Sequence, residues 1–274
     1  MNNQPERINI LGVEVDPLPI QTAIDRIIAR TQSPGSCYIV KPYVEFLNGE
    51  HNQVLNQAWL VLPDGVALQW AAYFQSTRGT LGAWLGSIAA ILIRPRRLGS
   101  VIPERFGGTN FTWPLLEQAA EAGTTIYLIG SPKNHSIEHT ATWLQSHLPH
   151  IHIVGTCEGR DSSGVFSQDL ENTLLRDLQQ TQPQLILTGI GFPQQEYLNQ
   201  RLAQQLTQGV LIGEGGTFDY QQFGGQQRKA PGWLQTIGLE WFWRLLLEPK
   251  RWRRQLAIPR FMWRVYKDLQ TRMQ

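Results

Sequence analysis

The sequence predicts an α/β protein with a mainly parallel sheet and helices on both of its faces. Short aliphatic and β-branched runs alternate along the chain with longer segments in which apolar residues recur at helical spacing. Several of the short runs are apolar at consecutive positions, which is typical of strands buried on both faces of a parallel sheet. With 274 residues, 42% of them hydrophobic, the chain can bury a sizeable core.

The alternation places the elements in order. Strands are predicted at residues 8–11, 37–40, 59–62, 125–129, 151–156, 185–188 and 210–212. Helices are predicted at residues 19–31, 44–56, 65–75, 109–122, 132–147, 166–180 and 194–205. Ser131 followed by Pro132 is a typical helix start, and the same logic applies to the helix after Pro193. These elements form the first predicted domain, residues 1–237.

Residues 73–101 interrupt the alternation. An apolar centre is flanked by Arg78 on one side and by Arg94, Arg96 and Arg97 on the other. The segment is either an inserted hairpin or interfacial helix whose arginines lie at lipid headgroups, or a loop packed over the core. The apolar run at residues 81–93 is shorter than the roughly 20 residues that a membrane-spanning helix needs.

The last segment, residues 238–274, forms the second predicted domain. It carries nine Lys or Arg residues against three acidic ones, although the net charge of the whole chain is only +2. Trp241, Trp243, Trp252 and Trp263 are interleaved with these cations. Aromatic rings among cations suit a membrane surface or a phosphate-rich ligand. The alternative is a terminal helix that packs on the core and keeps its arginines in solvent.

The remaining composition points to a cytoplasmic protein. Cys37 and Cys157 lie far apart in apolar runs, which favours reduced buried thiols over a disulfide framework. The N-terminus lacks a basic segment followed by an apolar one, so we expect no signal peptide. We expect no nucleic-acid partner, and the sequence leaves homo-oligomerisation open.

Candidate site residues follow the predicted strands, at the edge where open parallel sheets bind ligands. Asp64, in Pro63-Asp64-Gly65, is either the N-cap of the next helix or a general base. Arg105 precedes a glycine-rich turn that opens a helix, and it suits either a phosphate or a surface salt bridge.

Two glycine-rich loops follow later strands. The first contains Gly191, Gln195 and Glu196, and the second contains Gly215, Gly216 and Asp219. Glycines there let a helix N-terminus approach a phosphate or a sugar. The first loop lacks the third glycine of the dinucleotide fingerprint, so we expect no NAD and no other cofactor. Together the loops predict a nucleotide-sized ligand.

One motif suggests a different class of protein. His135 and His139 match H-x-x-E-H, the zinc motif of inverted metalloproteases. The alternative is the polar, solvent-facing side of an ordinary crossover helix. Since no third ligand is evident downstream, we expect no metal, and zinc hydrolysis is a remote alternative.

Seven sequence strings together carry a resemblance. They are PDGVA, ERFGGT, YLIGS, GIGFPQQE, GEGGTFD, RKAP and GLEWFWRLLLEPKRWRR. In this order they resemble the WecG/TagA/CpsF glycosyltransferases, glycosyltransferase family 26, over residues 8–261 apart from 73–101. The resemblance implies a Rossmann-like domain with a C-terminal helical appendage that meets the membrane. It also implies an inverting, metal-independent enzyme of cell-envelope polysaccharide synthesis.

The same resemblance implies the substrates. The expected donor is a UDP-sugar of the N-acetylmannosamine type, and the expected acceptor is polyprenyl-diphosphate-linked, such as N-acetylglucosaminyl diphosphoundecaprenol. Such an enzyme is peripheral on the inner face of the cytoplasmic membrane.

The resemblance also implies residue roles. Asp64 matches the catalytic base, while Gln195 and Arg105 match substrate-site residues, so the loops of Gly191 and Gly215 are expected near the UDP-sugar. The appendage arginines that hold the lipid diphosphate correspond to Arg244, Arg251 and Arg254.

The chain departs from the family pattern after the second predicted strand. It reads Lys41-Pro42-Tyr43 where the family usually has T-P-N. Lys41 replaces a small hydroxyl with a long cation that can reach a phosphate. This departure motivates a second hypothesis, a lipid-diphosphate or nucleotide-binding module without transferase activity.

Overall fold

A computed structural model describes residues 6–48, 50–77, 79–160, 164–232, 234, 240–247 and 256–273. The strands are β1 Ile8–Ile10, β2 Val13–Val15, β3 Gly35–Val40, β4 Leu60–Val61, β5 Thr125–Gly130, β6 His152–Glu158, β7 Leu185–Gly189 and β8 Gln208–Gly213. The α-helices are α1 Ile20–Thr31, α2 Asn52–Asn56, α3 Val66–Gln75, α4 Leu81–Ile93, α5 Gly108–Glu121, α6 Ile137–His147, α7 Gln168–Thr181, α8 Gln194–Gln205, α9 Glu240–Leu247 and α10 Ala257–Met273. Short 3-10 helices occupy Phe46–Asn48, Pro95–Ser100, Thr217–Asp219 and Gln221–Phe223.

Within the described part of the chain, the main sheet has six strands in the order β4-β3-β8-β7-β5-β6, and every neighbouring pair is parallel. β1 and β2 form a separate antiparallel pair. The predicted fold class is therefore confirmed. Because the strands are parallel, their carboxyl ends share one edge, and the loops after β3, β4 and β8 lie side by side there.

Apolar clusters cover both faces of the sheet. Within β5, Tyr127 and Ile129 belong to one cluster, whereas Ile126 and Leu128 belong to the other, as the two-residue repeat of a strand requires. The first cluster includes residues of α3, α7, α8 and α10, and the second includes residues of α1, α5 and α6. The sheet is thus buried between two helical layers.

Two predicted helices differ from the structure, and one strand was not predicted. α6 begins at Ile137, five residues later than predicted, because Ser136 is its N-cap and its hydroxyl accepts a hydrogen bond from the His139 amide. The Ser131-Pro132 helix start is therefore wrong. The helix predicted at residues 44–56 is divided into a 3-10 turn and α2, and β2 was missed because it has only three residues.

The segment 73–101 contains a helix, α4, which is docked on the protein. Trp70 donates its indole N–H to Ser87 Oγ at 2.9 Å. Trp84 donates to the Met262 carbonyl of α10 at 3.2 Å, and its ring lies edge-on to Trp263. α4 therefore packs between the core helix α3 and the C-terminal helix. Because the centre of the segment is helical, the loop alternative is wrong.

The C-terminal helix α10 is part of the core. Phe261, Met262, Val265 and Leu269 are buried in the same cluster as Trp70 of α3. Arg264 donates to the Leu47 carbonyl at 2.8 Å. For α10, the alternative of a terminal helix packed on the core is the one that the structure shows. The division into domains 1–237 and 238–274 stays a prediction.

Within the described ranges, no helix combines the length and the apolar character that crossing a bilayer requires.

Candidate active site

A cleft of about 440 Å³ opens beside the carboxyl end of β4. Asp64 and Arg105, predicted from separate loops, both line it. Arg96 from the 3-10 segment after α4 and Asn110 from the first turn of α5 line it as well. Its volume is typical of a small-molecule site. Because Glu104 lines it too, the cleft combines two carboxylates with two guanidinium groups.

Backbone hydrogen bonds fix the position of Asp64. Its amide donates to the Pro42 carbonyl at 3.0 Å, and the Phe106 amide donates to the Pro63 carbonyl at 2.9 Å. Gly65 occupies the N-cap position of α3 with φ of 85°, a left-handed conformation that favours glycine. Asp64 therefore precedes the N-cap position, so the N-cap alternative is wrong.

The turn that carries Arg105 is anchored on both sides. Glu104 Oε2 accepts a hydrogen bond from the Ile20 amide at 2.5 Å, at the start of α1. Phe106 is fully buried. Arg105 is consequently held by neighbours with fixed positions in the cleft that Asp64 also lines.

A buried ion pair lies at the ends of β3 and β8. Lys41 Nζ is 2.6 Å from Glu214 Oε2, and the two side chains are 5% and 0% exposed. Thr112 of α5 donates to the same oxygen at 2.6 Å. Lys41 Nζ also lies 5.2 Å from the centre of the Phe111 ring. In this arrangement the cation is neutralised inside the protein, which does not favour the predicted contact between Lys41 and a phosphate.

Gln195 connects the two glycine-rich loops. Its Oε1 accepts hydrogen bonds from the amides of Gly191 and Gly215, at 3.2 and 3.0 Å. Its Nε2 donates to Glu196 Oε1 at 2.8 Å. Because Gln195 is buried and its amide is engaged on both sides, the structure favours a positioning role over direct contact with substrate.

Glu196 is a buried carboxyl group beside that bridge. Burial raises its pKa to about 7, although the Gln195 amide and the Lys41 charge act in the opposite direction. Its Oε2 atom has no hydrogen-bond partner among the described residues. Glu196 is therefore partly protonated near neutral pH.

The loop after β8 also contains Gly215, Gly216 and Asp219. Gly215 and Gly191 have φ of 56° and 92°, so both use backbone conformations that favour glycine. Asp219 Oδ1 accepts a hydrogen bond from the Lys133 amide at 2.8 Å. Asp219 thus holds the loop after β5 against the loop after β8.

The two histidine rings of the H-x-x-E-H motif pack edge-on, with ring centres 5.3 Å apart. His135 Nε2 lies 2.9 Å from Thr140 Oγ1. Among the described residues, no group of three or more His, Cys, Asp or Glu side chains could hold a metal ion. The described residues therefore provide no third ligand for the zinc ion that the hydrolase alternative requires.

The predicted contacts of three appendage arginines with a lipid diphosphate stay predictions. Arg244 lies on α9, and Arg251 and Arg254 lie outside the described residues. Two site residues were not predicted. Arg96 was assigned only to the flank of the apolar segment. Glu214 was missed because its contact with Lys41 depends on β8 lying beside β3, and the local sequence pattern does not reveal that order.

The fold and the cleft define a Rossmann-like α/β protein with a polar ligand site at the carboxyl edge of its sheet. A sequence profile of the Glycosyl transferase WecG/TagA/CpsF family matches residues 8–81 and 89–274. The chain therefore belongs to the WecG/TagA/CpsF family and is a glycosyltransferase. Between residues 8 and 274 the match omits residues 82–88, so the segment without a family counterpart is narrower than the predicted 73–101.

Two Bacillus proteins are similar to the chain over most of its length. One, from Bacillus subtilis strain 168, is 26% identical over 232 residues, which cover 84% of this chain and 78% of the relative. The other, from Bacillus spizizenii strain W23, is 27% identical over 222 residues, which cover 80% and 73%. Each is named N-acetylglucosaminyldiphosphoundecaprenol N-acetyl-beta-D-mannosaminyltransferase.

Proposed function

We propose that the chain transfers an N-acetylmannosamine-type sugar from UDP to N-acetylglucosaminyl diphosphoundecaprenol or a similar polyprenyl-diphosphate acceptor. The observation that carries the proposal is that Asp64 and Arg105 line one cleft in a chain of this family. The names of the two Bacillus relatives support the choice of acceptor and sugar.

In the proposed reaction, an acceptor hydroxyl attacks the anomeric carbon while the Asp64 carboxylate takes the hydroxyl proton. The new C–O bond forms as the bond to the UDP phosphate oxygen breaks, so the anomeric configuration inverts. UDP departs with the bonding electron pair. Arg105 supplies positive charge to the departing diphosphate, and the proposed step requires no metal.

The proposed donor-binding residues follow β7 and β8, at the same carboxyl edge of the sheet as Asp64, and do not themselves line the cleft. The loops of Gly191 and Gly215 approach the UDP-sugar, and Gln195 keeps the two loops at a fixed separation. Gly216, Glu196 and Asp219 belong to the same loops, and Lys41 supports them through Glu214. On the acceptor side, Arg244, Arg251 and Arg254 are proposed to hold the lipid diphosphate. The enzyme would act on the inner face of the cytoplasmic membrane, in cell-envelope polysaccharide synthesis.

The proposal is tested by incubating the protein with UDP-N-acetylmannosamine and a short-chain lipid-linked N-acetylglucosamine, then measuring UDP release. Asp64→Asn keeps the shape of the side chain but removes its basicity, so turnover should fall at least about 100-fold. Asp25→Asn, at an exposed position of α1, is the matched control and should retain full activity. Undiminished turnover by Asp64→Asn contradicts the assignment of the base.

The second candidate function is a lipid-diphosphate or nucleotide-binding module without transferase activity. The buried Lys41–Glu214 pair favours this candidate, because Lys41 occupies the position where the family usually has a small hydroxyl residue. UDP binding measured by calorimetry, with no turnover from any UDP-sugar in a donor screen, would support this candidate. Turnover with any one donor rejects it and identifies the sugar.

A further inference from the structure

The solvent-facing side of α4 is apolar along its whole length. Leu81, Leu85 and Ile93 are 53%, 56% and 74% exposed. Gly82, Gly86 and Ala89 lie between them on the same face and are exposed as well. Residues 81–93 include no charged side chain. A continuous exposed apolar face of this kind is typical of a surface that binds a membrane, a ligand or another protein.

Contacts on the opposite side of α4 prevent the helix from rotating about its axis to bury the exposed side. Ser87 is buried and accepts the Trp70 indole hydrogen bond. Trp84 is fixed by its hydrogen bond to Met262 and by contacts with the rings of Trp263 and Tyr266. The helix is thus clamped on α3 and α10, with its apolar face outward.

The charges around this face indicate its partner. Three exposed arginines, Arg94, Arg96 and Arg97, follow the helix directly. Trp263, 45% exposed, lies beside Trp84 and carries the Lys267 ammonium 5.5 Å from the centre of its ring. An apolar face bordered by cations and an amphipathic ring fits an anionic bilayer surface. A second copy of the chain fits less well, because a two-fold contact would oppose like charges.

We propose that α4 lies in the plane of an anionic membrane, with Leu81, Leu85 and Ile93 among the acyl chains and Arg94 and Arg97 at the headgroups. The 3-10 segment Pro95–Ser100 follows at once, and its Arg96 lines the cleft that contains Asp64. The bound helix therefore holds the cleft at the depth where the diphosphate of a lipid-linked acceptor lies. Only this last step rests on the proposed function.

The test is flotation of the full chain with phosphatidylcholine vesicles, with or without phosphatidylglycerol. Wild-type protein should float with the anionic vesicles, and Leu85→Glu/Ile93→Glu should lower its partition coefficient at least about tenfold. Val165→Glu is the matched control, since Val165 is 56% exposed and precedes α7 at the β6 end of the sheet. Its partition should be unchanged. Arg94→Gln/Arg97→Gln should reduce the preference for phosphatidylglycerol.

Activity separates the two proposals. Leu85→Glu/Ile93→Glu should release UDP at the wild-type rate from a short-chain acceptor in solution but should lose turnover of an acceptor embedded in vesicles. If neither the wild type nor the variant releases UDP, but only the wild type floats with anionic vesicles, the proposed function fails and the membrane helix stands. Circular dichroism checks folding, and Leu85→Ser/Ile93→Ser is the milder second variant.

Two results would overturn the membrane helix. One is equal flotation of the wild-type and Leu85→Glu/Ile93→Glu proteins. The other is a wild-type dimer that ignores vesicles and that the same substitutions convert to a monomer, which would assign the apolar face to a second copy.

Discussion

At the residue scale, the carboxyl edge contains groups that face the cleft and groups that hold the loops in place. Asp64 and Arg105 line the cleft, whereas Gln195 and the Lys41–Glu214 pair are engaged inside the protein. Removal of one partner from a buried pair leaves an uncompensated charge. Because separating Lys41 from Glu214 would leave such a charge, the pair keeps the loops after β3 and β8 next to each other.

The raised pKa of Glu196 predicts how stability depends on pH. In the unfolded chain the carboxyl titrates near 4.5, and in the folded protein near 7. Between these values the folded state keeps a proton that the unfolded state loses, so the free energy of unfolding falls as pH rises. Over this pH range, the free energy of unfolding of Glu196→Gln should fall by up to about 3 kcal/mol less than that of the wild type.

Urea unfolding of the wild-type and Glu196→Gln proteins at pH 5 and pH 8 measures the effect. Glu121→Gln, at the exposed end of α5, is the control and should keep the wild-type dependence on pH. An identical loss of stability between the two pH values in all three proteins contradicts the assignment to Glu196.

The sequence places Asp64 directly after a predicted strand, whereas the substrate contacts predicted for Asp64 and Arg105 stay predictions. Asp64 and Arg105 were expected near substrate, and the cleft contains both. The engagement of Lys41 was not predicted, because it depends on β8 lying next to β3, a neighbour separated by more than 160 residues. Strand order is a property of the whole chain, and periodicity contains no information about it.

At the element scale, α8 has its predicted bounds, whereas α6 and the 44–56 segment do not. The local signal at Ser131 was overridden by a distant contact, since the Lys133 amide is bound by Asp219 from another loop. Likewise Phe46 stacks on Phe192, with ring centres 3.6 Å apart, and helps to hold a short turn where a longer helix was expected. Tertiary contacts decided both cases.

The start of α5 supports a prediction about close packing between elements. A Cβ atom on Gly108 would lie 2.0 Å from Thr217 Oγ1, in the loop after β8. Gly108→Ala must therefore displace either α5 or that loop, at a cost of about 1–3 kcal/mol. We expect a lower thermal midpoint and a higher KM for the UDP-sugar, because the displaced loop contains Gly215.

The comparison variant is Gly86→Ala on α4, where a Cβ atom meets nothing within 4 Å. An alanine there should leave stability unchanged or raise it by about 0.5–1 kcal/mol. Thr217→Ala, which removes the close hydroxyl, should partly restore the midpoint of Gly108→Ala. If Gly108→Ala melts like the wild type, the tight contact between α5 and the β8 loop is absent.

At the scale of the whole molecule, the C-terminal helix completes the core on the face of the sheet that α3 covers. Phe261 and Val265 are fully buried, and the Phe261 ring packs edge-on against Trp70. α4 depends on the same helix through Trp84. Thus the cleft, the apolar helix and the C-terminal segment are mechanically connected through α3 and α10.

This connection predicts that a chain ending at residue 237 will not be a stable, intact core. Its loss of α10 uncovers Trp70 and removes Phe261 and Val265, and each fully buried apolar side chain contributes about 1.5–3 kcal/mol. The total is comparable with the 5–15 kcal/mol that typically separates folded from unfolded states. We expect aggregation in size-exclusion chromatography and a much lower unfolding midpoint.

Removing only residues 273–274, which include the exposed Met273, should change neither measurement. A monomeric 1–237 chain with the wild-type midpoint would show that the segment is an independent appendage, and α10 would then have no part in supporting the fold.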